Sequence, residues 1–236
     1  MKQPFVSVVI PTLNEEKYLP LCLRSLTAQL FKNFEVIISD GSSTDKTRQI
    51  AKKYGARVLK NPLRTIGFSR QAGLAAAKGT IVAFTDADTH VPVDWLSRIV
   101  ETLSQPGVVG FFGGFRVPDG PWWYRLFTNA VQPILNTFYW KIFRFPMACG
   151  QNMAFYKHAG LSAGGFPQDF QLAEDIEMAR RLMTIGRIYF SQRDYVISSG
   201  RRGYEGFAKL LSRISRAFVY YFLFRKADKV GFPPMR

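Results

Sequence analysis

The chain has no run of about 18 uninterrupted apolar residues, the length a helix needs to span a bilayer. Its longest apolar stretches are "PILNTFYWKIFRF" (133–145), broken by Lys141 and Arg144, and "AFVYYFLF" (217–224), both too short to cross. The opening "MKQPFVSVVIPTLNEE" lacks an apolar segment closing on a small-residue cleavage site, so no signal peptide is expected there. Cysteine is scarce: Cys22 and Cys149 supply neither a disulfide framework nor metal-ligand spacing, and Cys22 reads as a small buried hydrophobe. These absences point to a cytoplasmic protein, peripheral at most on the cytoplasmic face of a membrane. Repeats and low-complexity segments are missing as well. Acids are few, 17 Asp+Glu against 32 Lys+Arg, and the formal charge of +15 favours polyanionic partners: nucleic acid, anionic lipid or phosphorylated ligands. No basic motif interleaved with aromatics on a recognisable nucleic-acid-binding fold is visible, so nucleic acid is not the expected partner.

At 236 residues and 47% hydrophobic content, one domain with an appended subregion is expected. The first half alternates strand and helix signals. Apolar runs 5–10, 34–39, 56–60 and 80–85 read as strands. Between them lie helical patterns over 15–30 (Leu19, Leu23, Leu26, Leu30), 45–54 and 67–78. Such alternation predicts an α/β fold, a mostly parallel Rossmann-like central sheet with helices on both faces, and ligands beyond the carboxyl ends of the strands. The polar clusters sit there: Thr12, Asn14 and Glu15 after the first strand, Asp40 and Ser42 after the second, Asp86 and Asp88 after the fourth. Past residue 107 the pattern loosens. Strands are expected at 108–117, 152–156, "RIYF" and "YVIS", and helices at 172–186 and 204–225. An aromatic segment, 121–146, is interrupted by Pro133 and Pro146. The change suggests halves 1–106 and 107–200, with 201–236 as a basic amphipathic tail.

Neither the G-x-G-x-x-G fingerprint nor the G-x-x-x-x-G-K-[ST] loop follows the first strand, which argues against a dehydrogenase or a P-loop ATPase. Asp40 stands where an acid can meet a ribose hydroxyl or a base N–H. Asp86 and Asp88, at i and i+2, point to opposite sides of an extended backbone, so a turn or a division of labour is required. One carboxylate plus ligand phosphates is the usual Mg²⁺ arrangement. The plain alternative is that these acids cap the helix beginning near 93. Glu174-Asp175 likewise reads either as a carboxylate pair for proton transfer or as first-turn acids favouring the helix dipole.

The stretches "PTLNE" (11–15), "SDGSSTDKT" (39–47), "GFSRQAGLAAAKG" (67–79), "FTDADT" (84–89) and "AED" (173–175), in this order and spacing, decide between those readings. Together they resemble the family 2 glycosyltransferases of the GT-A fold, which use nucleotide-diphospho-sugars and act with inversion. The resemblance spans roughly residues 5–200. It implies a metal-dependent enzyme using Mg²⁺ or Mn²⁺ and a UDP- or GDP-sugar. It also implies that Pro11, Thr12, Asn14, Glu15, Asp40 and Ser42 serve the nucleoside, and that Arg70 faces the diphosphate. Asp86 would face the nucleotide beside Asp88 on the metal, and Asp175 would be the base, oriented by Glu174. Two departures stand out. Arg70-Gln71 replaces the frequent Arg-Asn, and "GRRGY" (200–204) stands in for a Gln/Arg-Arg-Trp signature, which weakens a polymer-synthase reading. Arg201 and Arg202 stay candidates to meet phosphate, against the alternative of an exposed basic pair.

The acceptor is read from the aromatic regions. In the last helix Phe207, Leu210, Leu211, Ile214, Phe218 and Tyr221 share one side, and Lys209, Arg213 and Arg216 line the other. Val219–Phe224 is apolar all round and closes on Arg225 and Lys226. This helix and segment 121–145 suit a bilayer interface and a lipid-linked acceptor such as a polyprenyl phosphate. The alternatives are a core or subunit interface, a soluble glycan or small-molecule acceptor, and a non-catalytic nucleotide-sugar-binding subunit.

Overall fold

A computed structural model describes residues 5–63, 65–168, 170, 173–209, 212 and 215. β-Branched and aliphatic runs form the first strands, β1 (Val6–Thr12), β2 (Phe34–Asp40), β3 (Arg57–Lys60) and β4 (Ile81–Phe84). Helices α1 (Leu19–Thr27), α2 (Thr47–Lys53) and α3 (Ile66–Ala76) connect them. β5 (Thr89–His90), α4 (Trp95–Leu103) and β6 (Val108–Arg116) follow, then α5 (Trp122–Leu126), a π-helical turn (Phe127–Val131) and α6 (Gln132–Phe143). β7 (Met153–Tyr156), α7 (Lys157–Ser162), α8 (Glu174–Met183), β8 (Arg187–Ser198) and a 3-10 helix (Arg201–Glu205) complete the described order.

One sheet holds all eight strands in the order β3-β2-β1-β4-β7-β6-β8-β5. β3, β2, β1 and β4 are mutually parallel, β7 is antiparallel to both neighbours, and β8 returns parallel to β6. The carboxyl ends of β1, β2 and β4 therefore open on one edge. Val6, Val8 and Ile10 of β1 face a core with Leu19, Leu23, Trp95 and Ile99, while Val9 faces Leu74, Phe84, Phe155 and Met178 on the other side. Phe84 stacks on Phe155 at 5.3 Å and meets Phe166 edge-on at 5.1 Å. Burial of each such side chain contributes about 1.5–3 kcal/mol. Gly73 lets α3 lie directly on β1, because a Cβ there would collide with the Val9 side chain. Arg70, one turn earlier, is thereby brought to the strand ends.

Several expectations are corrected. α1 ends at Thr27, and Leu30 is exposed, its N–H drawn to the Val93 carbonyl at 2.9 Å rather than into the helix. "RIYF" and "YVIS" are one strand, β8. Its register against β6 jumps from Ser191 to Tyr195 while β6 advances only from Gly113 to Gly114, so residues 192–194 bulge without ending the strand. Pro133 does not break the aromatic segment, since the helix widens into the π turn just before it and Pro133 falls in the first turn of α6. The last helix starts slightly later than expected: a 3-10 helix covers 201–205, Gly206 follows at φ 90°, and the described residues 207–209, 212 and 215 are α-helical. Leu210, Leu211, Arg213, Ile214, Arg216, Phe218, Tyr221 and the stretch 219–226 lie outside the described residues. No helix among the described residues is long and apolar enough to cross a membrane.

Candidate active site

A cavity of about 620 Å³ opens over the carboxyl ends of β1, β2 and β4. Pro11, Thr12 and Glu15 from the end of β1, Asp86 and Asp88 from the end of β4, and Glu174 and Asp175 from the start of α8 all line it. The turn required between Asp86 and Asp88 is present, closed by Thr89 N–H donating to the Asp86 carbonyl at 3.1 Å. Both carboxylates therefore reach the same cavity.

Two arginines organise these acids. Arg70 is 2% exposed; its Nη2 donates to Asp86 Oδ1 at 3.1 Å and its Nη1 donates to Glu174. Burial works against the Arg70 charge, but Glu174, Asp86 and Asp175 outweigh it and hold its pKa above the usual value. Arg201 reaches across from the 3-10 helix, donating to both Glu15 oxygens at 3.0 and 2.7 Å. Its Nε lies 2.9 Å from Asp88 Oδ2 as an ion pair without an aligned hydrogen bond, and its guanidinium lies over the Tyr18 ring at 4.5 Å. Burial raises the pKa values of Glu15 and Asp88 despite Arg201.

Asp175 is placed differently. Gly150 N–H donates to its Oδ2 at 2.7 Å and Ile176 N–H to its Oδ1 at 2.8 Å, so backbone rather than a long side chain fixes the carboxylate. Burial pushes its pKa up, against the Arg70 charge and these two donors. Burial also pushes up Glu174, against Arg70. The residue before the pair, Ala173, adopts φ 64°, a left-handed conformation costly for a residue with a Cβ. Asn14 (φ 57°) and Ser42 (φ 69°) are left-handed too, in the loops after β1 and β2.

Pro11, Thr12, Glu15, Arg70, Asp86, Asp88, Glu174, Asp175, Arg201 and Arg202 are thus brought to one cavity. Asn14, Asp40 and Ser42 stand behind its wall. Asp40 is fully buried, accepting from the Ser43 hydroxyl, the Ser43 N–H at 3.0 Å and the Thr12 hydroxyl at 3.2 Å. Asn14 accepts the Thr44 N–H at 2.8 Å, and Ser42 donates to the Asn61 carbonyl at 2.9 Å. Asp40 and Asn14 clamp the ends of β1 and β2 together, and Ser42 ties the second loop to the end of β3. Sequence reasoning missed Gly150, whose only signal is a glycine just before a strand, and Ser198, which donates to Asp88 Oδ1 at 3.3 Å. It also missed the wall built by Tyr124, Phe127, Thr128 and Gln132.

Comparison with known proteins matches the family model "Glycosyl transferase family 2" to residues 7–176. Glycosyltransferase AglE of Haloferax volcanii is 33% identical over 127 residues, 50% of this chain and 42% of that protein. A Methanococcus voltae relative, named dolichyl N-acetyl-alpha-D-glucosaminyl phosphate 3-beta-D-2,3-diacetamido-2,3-dideoxy-beta-D-glucuronosyltransferase, is 34% identical over 110 residues, 43% of this chain and 34% of its own. The chain spans less than half the length of these curated relatives. Among solved structures, the mannosyltransferase PcManGT from Pyrobaculum calidifontis, in complex with GDP-Man and Mn²⁺, superposes with a TM-score of 0.74 at 25% identity, covering 99% of this chain and 67% of that one. The architecture is accordingly of the GT-A type.

Proposed function

The chain belongs to glycosyl transferase family 2, and from that premise we propose that it transfers a sugar, with inversion, from a UDP- or GDP-sugar to a hydroxyl or phosphate oxygen of a lipid-linked acceptor. The observation that carries this reading is Asp175: a half-buried carboxylate that lines the same cavity as Asp86 and Asp88 and is fixed by two backbone N–H groups. Inverting transfer needs such a base. The acceptor O–H gives its proton to Asp175 as its oxygen bonds to the anomeric carbon, and the bond from that carbon to the diphosphate breaks on the far face. The electron pair leaves with the nucleoside diphosphate, whose growing charge Arg201 and Arg202 are near enough to offset. Glu174 acts through Arg70, whose guanidinium lies between it and Asp86.

The donor set also fits a divalent cation. Asp88 and Asp86 offer oxygen ligands on one turn facing the cavity, and no group of three or more His, Cys, Asp or Glu that could cage an ion occurs among the described residues. Few protein carboxylates plus ligand phosphates is the arrangement Mg²⁺ and Mn²⁺ favour. Asp88 would hold the ion, with Asp86 beside it, and Arg201 would yield its place. A cation bound there supplies charge neutralisation to the leaving diphosphate. The lipid-linked acceptor is supported by the name of the Methanococcus voltae relative.

The test compares wild type with Asp175→Asn on UDP-glucose, UDP-N-acetylglucosamine and GDP-mannose with Mn²⁺. Turnover should fall by about 10²–10⁴, while the thermal shift induced by the preferred donor persists. An Asp175→Asn enzyme as fast as wild type would remove Asp175 from the role of base.

A further inference from the structure

The helical segment from α5 through the π turn to α6 has two unlike faces. Its inner face carries Tyr124, Thr128 and Gln132 into the cavity. Its outer face is apolar and open to solvent: Leu126, Val131, Leu135, Ile134 (70% exposed), Phe138 (52%) and Ile142 (60%). A solvent-facing helix surface is normally polar, and a contiguous apolar one marks a contact site. Within the segment the charges have one sign. Arg125, Lys141 and Arg144 are exposed on the same segment, and no acid occurs in the sequence between Asp119 and Asp169. Trp122, 75% exposed, stands at one end of the face, and Tyr139 flanks it.

We propose that this outer face seats the protein on an anionic phospholipid bilayer, with its apolar side chains below the headgroups and the three cations among them. Aromatic and aliphatic side chains ringed by Lys and Arg are what the lipid–water interface accommodates. A second copy fits less well, because a self-complementary contact would set Arg125, Lys141 and Arg144 against their own counterparts. Phe127, 38% exposed, lines the cavity from this same segment, so seating the segment on a bilayer would bring the cavity beside the membrane. This rests on the transferase reading only in assigning the acceptor: a lipid whose polar end enters past Phe127 while its hydrocarbon stays in the bilayer.

The test sediments the full chain with phosphatidylcholine vesicles, with and without phosphatidylglycerol, at low and high salt. Binding should favour the anionic vesicles and fall with salt. Ile134→Glu/Phe138→Glu should weaken it on the order of tenfold or more, with far-UV circular dichroism unchanged because both side chains face solvent. Arg125→Gln/Lys141→Gln/Arg144→Gln should remove the preference for anionic lipid. The proposal is overturned if wild type does not bind, if the Glu variant binds equally well, or if light scattering finds a dimer that this variant dissolves. Nucleoside diphosphate release from UDP-glucose, UDP-N-acetylglucosamine or GDP-mannose without vesicles reads the transferase separately. It should match between wild type and the Glu variant. Its absence from both, with vesicle binding intact, would overturn the transferase reading and leave the docking face standing.

Discussion

Gly150 does two things that no other residue type could do together. Its N–H fixes Asp175 Oδ2, and its bare Cα lies where a Cβ would run into the Arg70 guanidinium. Gly150→Ala should therefore push Arg70 off Glu174 and Asp86, lowering stability by roughly 1–3 kcal/mol and turnover more steeply than Km. A melting temperature and turnover both equal to wild type would show that the packing around Arg70 is slack. Asp175 adds a pH dependence. As a base it works only when ionised, and burial holds its pKa above the ordinary aspartate range. Turnover should fall as pH drops through that raised value, so the acidic limb of kcat against pH should lie above that of a free aspartate. A limb at or below it would mean that Arg70 and the N–H donors outweigh burial.

At the scale of elements, the 3-10 helix is tied to the strand ends through Arg201, which pairs with Glu15 and Asp88 together. Removing the guanidinium leaves two largely buried carboxylates facing one another, a costly arrangement that a cation could relieve. Arg201→Gln should thus melt earlier than wild type without metal and gain more from Mn²⁺ in a thermal scan. An equal Mn²⁺ shift in both proteins would place the ion away from Asp88. Loops carrying Glu15, Asp86 and Asp88 were legible in the sequence, because short polar clusters ending apolar runs are local features, and Asp175 was legible as an acid in the first turn of α8. Contacts of long range were not. That Arg70 would bind Glu174, 104 positions away, or that Arg201 would close on Glu15, depends on how the sheet is ordered. Nor does local patterning show a strand continuing through the bulge at 192–194, since residues there lack the apolar alternation that marks a strand.

Sheet order also governs how the whole molecule unfolds. The composition change near residue 107 suggested halves, yet the strands of the two are interlocked. β4 pairs with β7 from the second half, and β5, from the first, crosses to the far edge to pair with β8. Cutting at 107 would leave β4 with an unpaired inner edge and strip β8 of its outer neighbour β5, exposing backbone donors and acceptors that need partners. Trp95, in the first half, reinforces the join by donating from Nε1 to Asn152 Oδ1 at 2.9 Å, and Asn152 in turn bridges the Gly114 and Asp194 carbonyls. A single cooperative transition is therefore expected in urea, with tryptophan fluorescence and far-UV circular dichroism coinciding. Residues 1–106 expressed alone should fail to give a cooperative melt. Two separated transitions in the full chain, or a stably folded 1–106 fragment, would mean that the halves are independent units and that the shared sheet contributes little to holding them together.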